Sequence, residues 1–169
     1  NKTKESEFLP LPQKNVDFGG GVERTVAILS GLEDNYQSTI FQPIIKEIEL
    51  ISKKKYNSDK ETTKAMRIVA DHLRACVFIL GDERAIKPSN IGQGYVLRRL
   101  IRRAIRYGRK LGIKENLTSK IAKVIIKEYY DYQELARNHK FIYEQLDQEE
   151  TCFLETLENG LKKFNEIAT

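Results

Sequence analysis

The chemically most pointed stretch of this chain is a run of cations. Between Arg84 and Lys114 there are ten Lys or Arg and no Asp or Glu. On a helix of about 100° per residue with Arg98 as origin, Arg109, Arg102, Arg106, Arg99, Lys110 and Arg103 fall between about 20° and 140°. Val96, Leu97, Leu100, Ile101, Ala104, Ile105, Tyr107 and Leu111 fill the arc from about 160° to 340°. Like charges crowded in this way repel by tenths of a kcal/mol per i,i+4 pair, and the stretch holds no acid to relieve them. The planar fork of arginine suits phosphate, so an RNA or DNA backbone is one partner for this face. A face partly neutralised by the acidic C-terminal helix is the second reading. A membrane-surface or calmodulin-type helix is the third, weakened by an apolar face without Trp or Phe.

A second signal is Asn15-Val16-Asp17-Phe18-Gly19-Gly20-Gly21-Val22-Glu23-Arg24. Glycines between a strand and a helix let a flat or phosphorylated ligand approach the backbone closely. Many such junctions are only tight turns, and no Gly-Lys-Ser/Thr follows to make a Walker loop. His72 and Cys76 are four apart on one helix, a spacing open to metal. His72 lies on an apolar face, however, and reads as a satisfied core histidine, so no metal site is expected. Asp71, between Arg67 and Arg74, reads as part of an intrahelical charge pair. No Ser–His–Asp set or general-base dyad stands out.

These residues must be positioned by helices. The 169 residues contain 40% apolar and 31% charged side chains, with a net charge of +5, enough apolar content for one core. From Glu128 to Thr169 ten acidic side chains face four basic ones, so a basic middle adjoins an acidic end. No apolar run approaches the roughly 20 residues that span a bilayer. The first fifteen residues lack the apolar core of a signal peptide. Two isolated cysteines, Cys76 and Cys152, point to a reducing, cytoplasmic setting. The chain starts at Asn1 and its one Met is Met66, as expected of a piece of a longer protein.

The pattern predicts a short strand at Asn15–Phe18, then a helix from Val22 to Ser30 stopped by Gly31. Pro43 suits the first turn of the next helix, which carries a buried stripe of Ile44, Ile48 and Ile51. The polar segment up to Thr63 reads as loop. A nearly buried central helix runs from Ala65 to Leu80, and Lys87–Gly94 reads as loop because Pro and two Gly oppose regular structure. The basic helix runs from Tyr95 to Lys110. Another is capped by Thr118 and ends near Tyr130. One long last helix, Leu135 to Ile167, carries Ile142, Leu146, Phe153, Leu157 and Phe164 at 3–4 spacing. The fold class is mainly α: a helical bundle preceded by a strand–Gly-turn–helix remnant.

Read together, these stretches stop being generic. Asn15-Val16-Asp17 through Gly21-Val22-Glu23-Arg24 resembles the third signature motif of class II aminoacyl-tRNA synthetases, in the form found in the alanyl-tRNA synthetase family. Asn35-Tyr36 with Phe41-Gln42-Pro43 is similar to that family's next segment. Arg67-Ile68-Val69-Ala70-Asp71-His72-Leu73-Arg74-Ala75-Cys76 resembles its central helix. Pro88-Ser89-Asn90, leading to Gly94-Tyr95-Val96-Leu97-Arg98-Arg99-Leu100-Ile101-Arg102-Arg103-Ala104-Ile105-Arg106, resembles its tRNA-facing segment. The motifs occur in the family's order over residues 13–166. One departure is Phe18, where the family usually has Thr.

The resemblance implies a parent enzyme that activates L-alanine with ATP and Mg²⁺ and esterifies it to tRNA. Residues 1–31 would be the end of the class II catalytic domain and residues 32–169 the helical tRNA-recognition domain. Asp17 would hold the ammonium of alanine, Gly19 and Gly21 would line the adenylate pocket, and Arg24 would contact ATP. Asn90 would read the G·U wobble pair in the acceptor stem of alanine tRNA, with Arg98, Arg99, Arg102, Arg103 and Arg106 along the RNA backbone. The resemblance puts the first two class II motifs upstream of these residues. It puts an acidic partner of Asn90, an editing domain and that domain's zinc downstream. The segment alone is expected to be inactive. A stand-alone, non-enzymatic helical RNA-binding module is the alternative, and a protein-interaction bundle built on the last helix is a third reading.

Overall fold

A computed structural model describes residues 13, 19–114 and 116–168 of the chain. The backbone divides into two compact units, residues 1–38 and 39–169. Among the described residues there are seven α-helices, one 3-10 turn and no strand. The strand expected at Asn15–Phe18 lies outside the described residues. Among the described residues no helix is long and apolar enough to cross a membrane.

In the first unit, α1 (Val22–Leu29) starts behind Gly21 and carries Glu23 in its first turn, where a negative charge meets the positive end of the helix dipole. It ends where the sequence predicts. Gly31 takes φ +66°, a conformation that costs a glycine nothing. The chain then folds back, and the Leu32 N–H donates to the Ala27 carbonyl at 2.8 Å, closing the orphan carbonyls of the last turn. A 3-10 turn follows at Asn35–Gln37, capped by the Asp34 carboxylate, which accepts from the Tyr36 N–H.

The second unit is a helical bundle of α2 (Gln42–Ser52), α3 (Lys60–Gly81), α4 (Gly92–Lys110), α5 (Leu117–Glu128), α6 (Gln133–Arg137) and α7 (His139–Ala168). The central helix α3 buries Met66, Val69, Leu73, Cys76, Val77 and Leu80. The basic helix α4 packs on α3 more extensively than on any other helix, through buried Leu97, Ile101, Ala104 and Ile105. In α2, Ile44, Ile45 and Ile48 are buried, whereas Ile51 is only half-buried.

Several boundaries differ from the sequence reading, each for a local physical reason. α3 begins at Lys60 rather than Ala65, because the Asp59 carboxylate accepts the Thr62 N–H at 2.8 Å and caps a first turn too polar to show periodicity. α4 begins at Gly92, so the two glycines read as breakers lie in its first turn. Thr118 is not the cap of α5: the cap position is Asn116, in left-handed conformation at φ 54°, and the capping carboxylate comes from α7. Glu150 is buried. It accepts from the N–H of Leu117 at 3.0 Å, the N–H of Thr118 at 2.9 Å and the hydroxyl of Thr118 at 2.6 Å.

The long last helix is in fact two. The break falls at Asn138, whose side-chain amide donates to the Gly81 carbonyl at 2.8 Å and so satisfies an orphan carbonyl at the end of α3. Along α7 the apolar stripe fades. Ile142 and Leu146 are buried, Phe153 and Leu157 half-buried, and Phe164 exposed.

Candidate nucleic-acid interface

The packing of α4 on α3 decides which cations reach solvent. Arg99, Arg103, Arg106, Arg109 and Lys110 are exposed, and Arg98 and Arg102 are half-buried. Tyr107, on the opposite arc, is buried as expected, and its ring stands 6.0 Å from the Arg103 guanidinium, 5.4 Å from that of Arg106 and 5.2 Å from the Lys110 ammonium. These contacts fall within cation–π range and steady three side chains that would otherwise repel one another. Val96, assigned to the buried arc, is 56% exposed.

Three of the cations also make polar contacts within the chain, the weakest being Arg109, whose Nη1 donates to the Lys114 carbonyl at 3.5 Å. Arg102 Nε pairs with Glu149 Oε1 at 2.5 Å, and its guanidinium lies 5.2 Å over the Phe153 ring. The acidic last helix thus neutralises one position of the face, as the second sequence reading held. Arg98 Nη2 donates to Asn90 Oδ1, which pins the exposed Asn90 amide to the helix that carries the arginines.

The turn that presents Asn90 is held by its own hydrogen bonds. The Ser89 N–H donates to the Gly94 carbonyl at 3.0 Å and the Ser89 hydroxyl to the Ile91 carbonyl at 2.9 Å. Gly94 is obligatory for this closure: a Cβ there would stand 2.4 Å from both the Lys87 carbonyl oxygen and Ser89 Oγ. Gly94→Ala should therefore cost about 1–3 kcal/mol of stability and move Asn90. Thermal melting checks the first effect. Adding Ser89→Ala should not restore stability, because the Lys87 backbone carbonyl still blocks the methyl group.

The other sequence candidates belong to other stretches of the chain. Asp17 lies outside the described residues. Gly19, Gly21 and Arg24 are exposed in the first unit; no atom lies within 4 Å of a Cβ built on Gly19, and only Arg24 side-chain carbons approach one on Gly21. His72 is satisfied at one nitrogen rather than two. Nδ1 meets Asp71 Oδ2 at 3.2 Å, while Nε2 is buried without a partner. The hydrogen bond from His72 holds the Asp71 carboxyl below its ordinary range against the opposing effect of burial, with the charges of His72 and Arg74 adding to it.

The arginines flanking Asp71 reach tyrosines. Arg67 Nε donates to the Tyr56 hydroxyl at 2.7 Å and Arg74 Nη1 to that of Tyr129 at 3.2 Å. Burial pushes the Cys76 thiol well above its usual range. Among the described residues no three His, Cys, Asp or Glu are grouped to hold a metal ion.

The described bundle thus carries an exposed arginine face with a pinned asparagine beside it. The sequence signature described as tRNA synthetases class II (A) matches residues 1–169, and the chain belongs to that family. Among its relatives is an alanine–tRNA ligase from Borreliella afzelii, 44% identical over 168 residues, which cover 99% of this chain and 28% of that protein. A second, from Thermotoga maritima, is 42% identical over 165 residues, 97% of this chain and 19% of the relative. A third, from Treponema pallidum, is 42% identical over 167 residues, 98% of this chain and 28% of the relative. The chain thus spans less than a third of the length of these relatives.

Proposed function

We propose that the chain is the part of an alanine–tRNA ligase that holds the acceptor stem of alanine tRNA. The observation that carries this reading is the pairing of Arg98 with Asn90 at one end of a face where Arg99, Arg103 and Arg106 are exposed. Phosphate contacts fix register and base-edge contacts specify. The arginines would seat the backbone. Asn90, its Oδ1 taken by Arg98, would offer its N–H donors to the displaced bases of a G·U wobble pair in the wide, shallow minor groove. Arg102, tied to Glu149, would steady α4 against α7 more than it grips phosphate.

In the same reading residues 1–31 end the catalytic domain, with Asp17 and Gly19 toward alanine and Gly19, Gly21 and Arg24 toward ATP. Residues 32–169 form the tRNA-recognition domain. The parent would join alanine to tRNA through an adenylate, a chemistry that depends on alignment and charge neutralisation rather than on a side-chain nucleophile. Mg²⁺ would neutralise phosphate charge there. Among the described residues no three His, Cys, Asp or Glu are grouped to hold it.

Titrating the chain with alanine tRNA and with a non-cognate tRNA tests the assignment. Asn90→Ala should weaken the cognate complex by about 1–3 kcal/mol and leave the non-cognate one unchanged. Equal losses on both tRNAs, accompanied by a lower melting temperature, would reduce Asn90 to a turn residue.

A further inference from the structure

The arginine arc contains one residue that does not belong to it by charge. On the same wheel Tyr95 falls at about 60°, between the positions of Arg102 and Arg106. It is 44% exposed, and the Arg99 guanidinium stands 5.6 Å from its ring centroid. Its N–H donates to the carbonyl of Ile91 at 3.1 Å, so the two share the first turn. Ile91 follows Asn90 directly and is 79% exposed. Ile91 and Tyr95 thus add exposed apolar surface next to Asn90 and at the start of the arginine helix. A face made only for phosphate has no use for it, because each of these side chains keeps apolar surface in water.

Resting on the acceptor-stem reading, we propose that Tyr95, with Ile91 beside it, packs against the ribose edge of the RNA minor groove and makes the site select RNA over DNA. Guanidinium–phosphate contacts do not distinguish the two backbones. The 2′-hydroxyl does, and A-form RNA displays it in the same groove that Asn90 would read. A phenol both donates to and accepts from a hydroxyl, and that of Tyr95 makes no hydrogen bond with the described residues. The ring and the Ile91 side chain supply apolar contact for the sugar carbons.

The test uses the chain with an acceptor-stem hairpin in RNA, the same hairpin in DNA, and the variants Tyr95→Phe and Tyr95→Ala. The wild type should hold RNA about tenfold more tightly than DNA at equal salt. Tyr95→Phe should lose about three- to tenfold on RNA, the worth of one hydrogen bond, and nothing on DNA. Tyr95→Ala should lose more on RNA, with the salt dependence of binding unchanged. Tyr95→Phe removes only an exposed hydroxyl, so its melting temperature should match the wild type. Equal wild-type affinity for both hairpins, or an unchanged RNA-to-DNA ratio in Tyr95→Phe, overturns the role of Tyr95 and leaves the arginine face standing. Failure of the wild type to hold either hairpin overturns the acceptor-stem reading as well.

Discussion

Glu150→Ala should lower the melting temperature of the chain by about 10 °C, from a loss of about 3–5 kcal/mol. Its carboxylate is buried, receives two backbone N–H groups and one hydroxyl at the start of α5, and lies at the positive end of that helix. Alanine leaves all three donors buried without acceptors, and each orphan costs about 1–3 kcal/mol. It also cuts the polar tie between α7 and α5. Glu150→Gln separates charge from shape. One amide oxygen still accepts from Thr118, but the NH₂ group then faces the Leu117 N–H, donor against donor. That variant should lose about half as much. Thr118→Val, which removes only the 2.6 Å hydroxyl bond, should lose about 1 kcal/mol. A Glu150→Ala chain that melts with the wild type would show that α5 is capped by solvent.

This cap also shows what kind of information a linear reading misses. Features written within one or two helical turns were legible. They include the buried and basic arcs of α4, the stop at Gly31 and the core stripe of α2 at Ile44 and Ile48. Features that depend on residues distant in sequence were not. Thr118 is a fair cap by its own chemistry, and nothing near it announces that Glu150, 32 residues later, will supply the carboxylate. The break at Asn138 answers to a carbonyl 57 residues earlier at Gly81. Periodicity ran straight through it because Leu135 and Ile142 both face the core. Arg102 belonged to the cationic arc by spacing, and only the arrival of Glu149 and Phe153 from α7 set it apart from Arg99, Arg103 and Arg106. Asp59 was missed for a different reason. The turn it caps is polar, so the helix starts before its apolar pattern does.

Reversing Arg99, Arg103 and Arg106 together to Glu should reduce affinity for tRNA by about a thousandfold at moderate salt, or roughly 4 kcal/mol. The wild-type face offers five exposed cations, Arg99, Arg103, Arg106, Arg109 and Lys110. If each displaces counterions at a phosphate, log K should fall against log salt with a slope of about −3 to −5. Reversal removes three of these contacts and sets carboxylates against the backbone, so the slope should flatten to about −1 or −2. The fold should tolerate the change. All three side chains are exposed, and the reversal relieves like-charge repulsion along α4. An unchanged or slightly raised melting temperature therefore accompanies the lost binding. The control is the same charge change placed elsewhere, at the exposed Lys53, Lys54 and Lys55 that follow α2. If position matters, that triple should cost less than about tenfold, the part due to net charge alone. Equal losses from the two triples would mean that tRNA meets a diffusely basic protein. Unchanged binding in the α4 triple would return the arginine face to solvent.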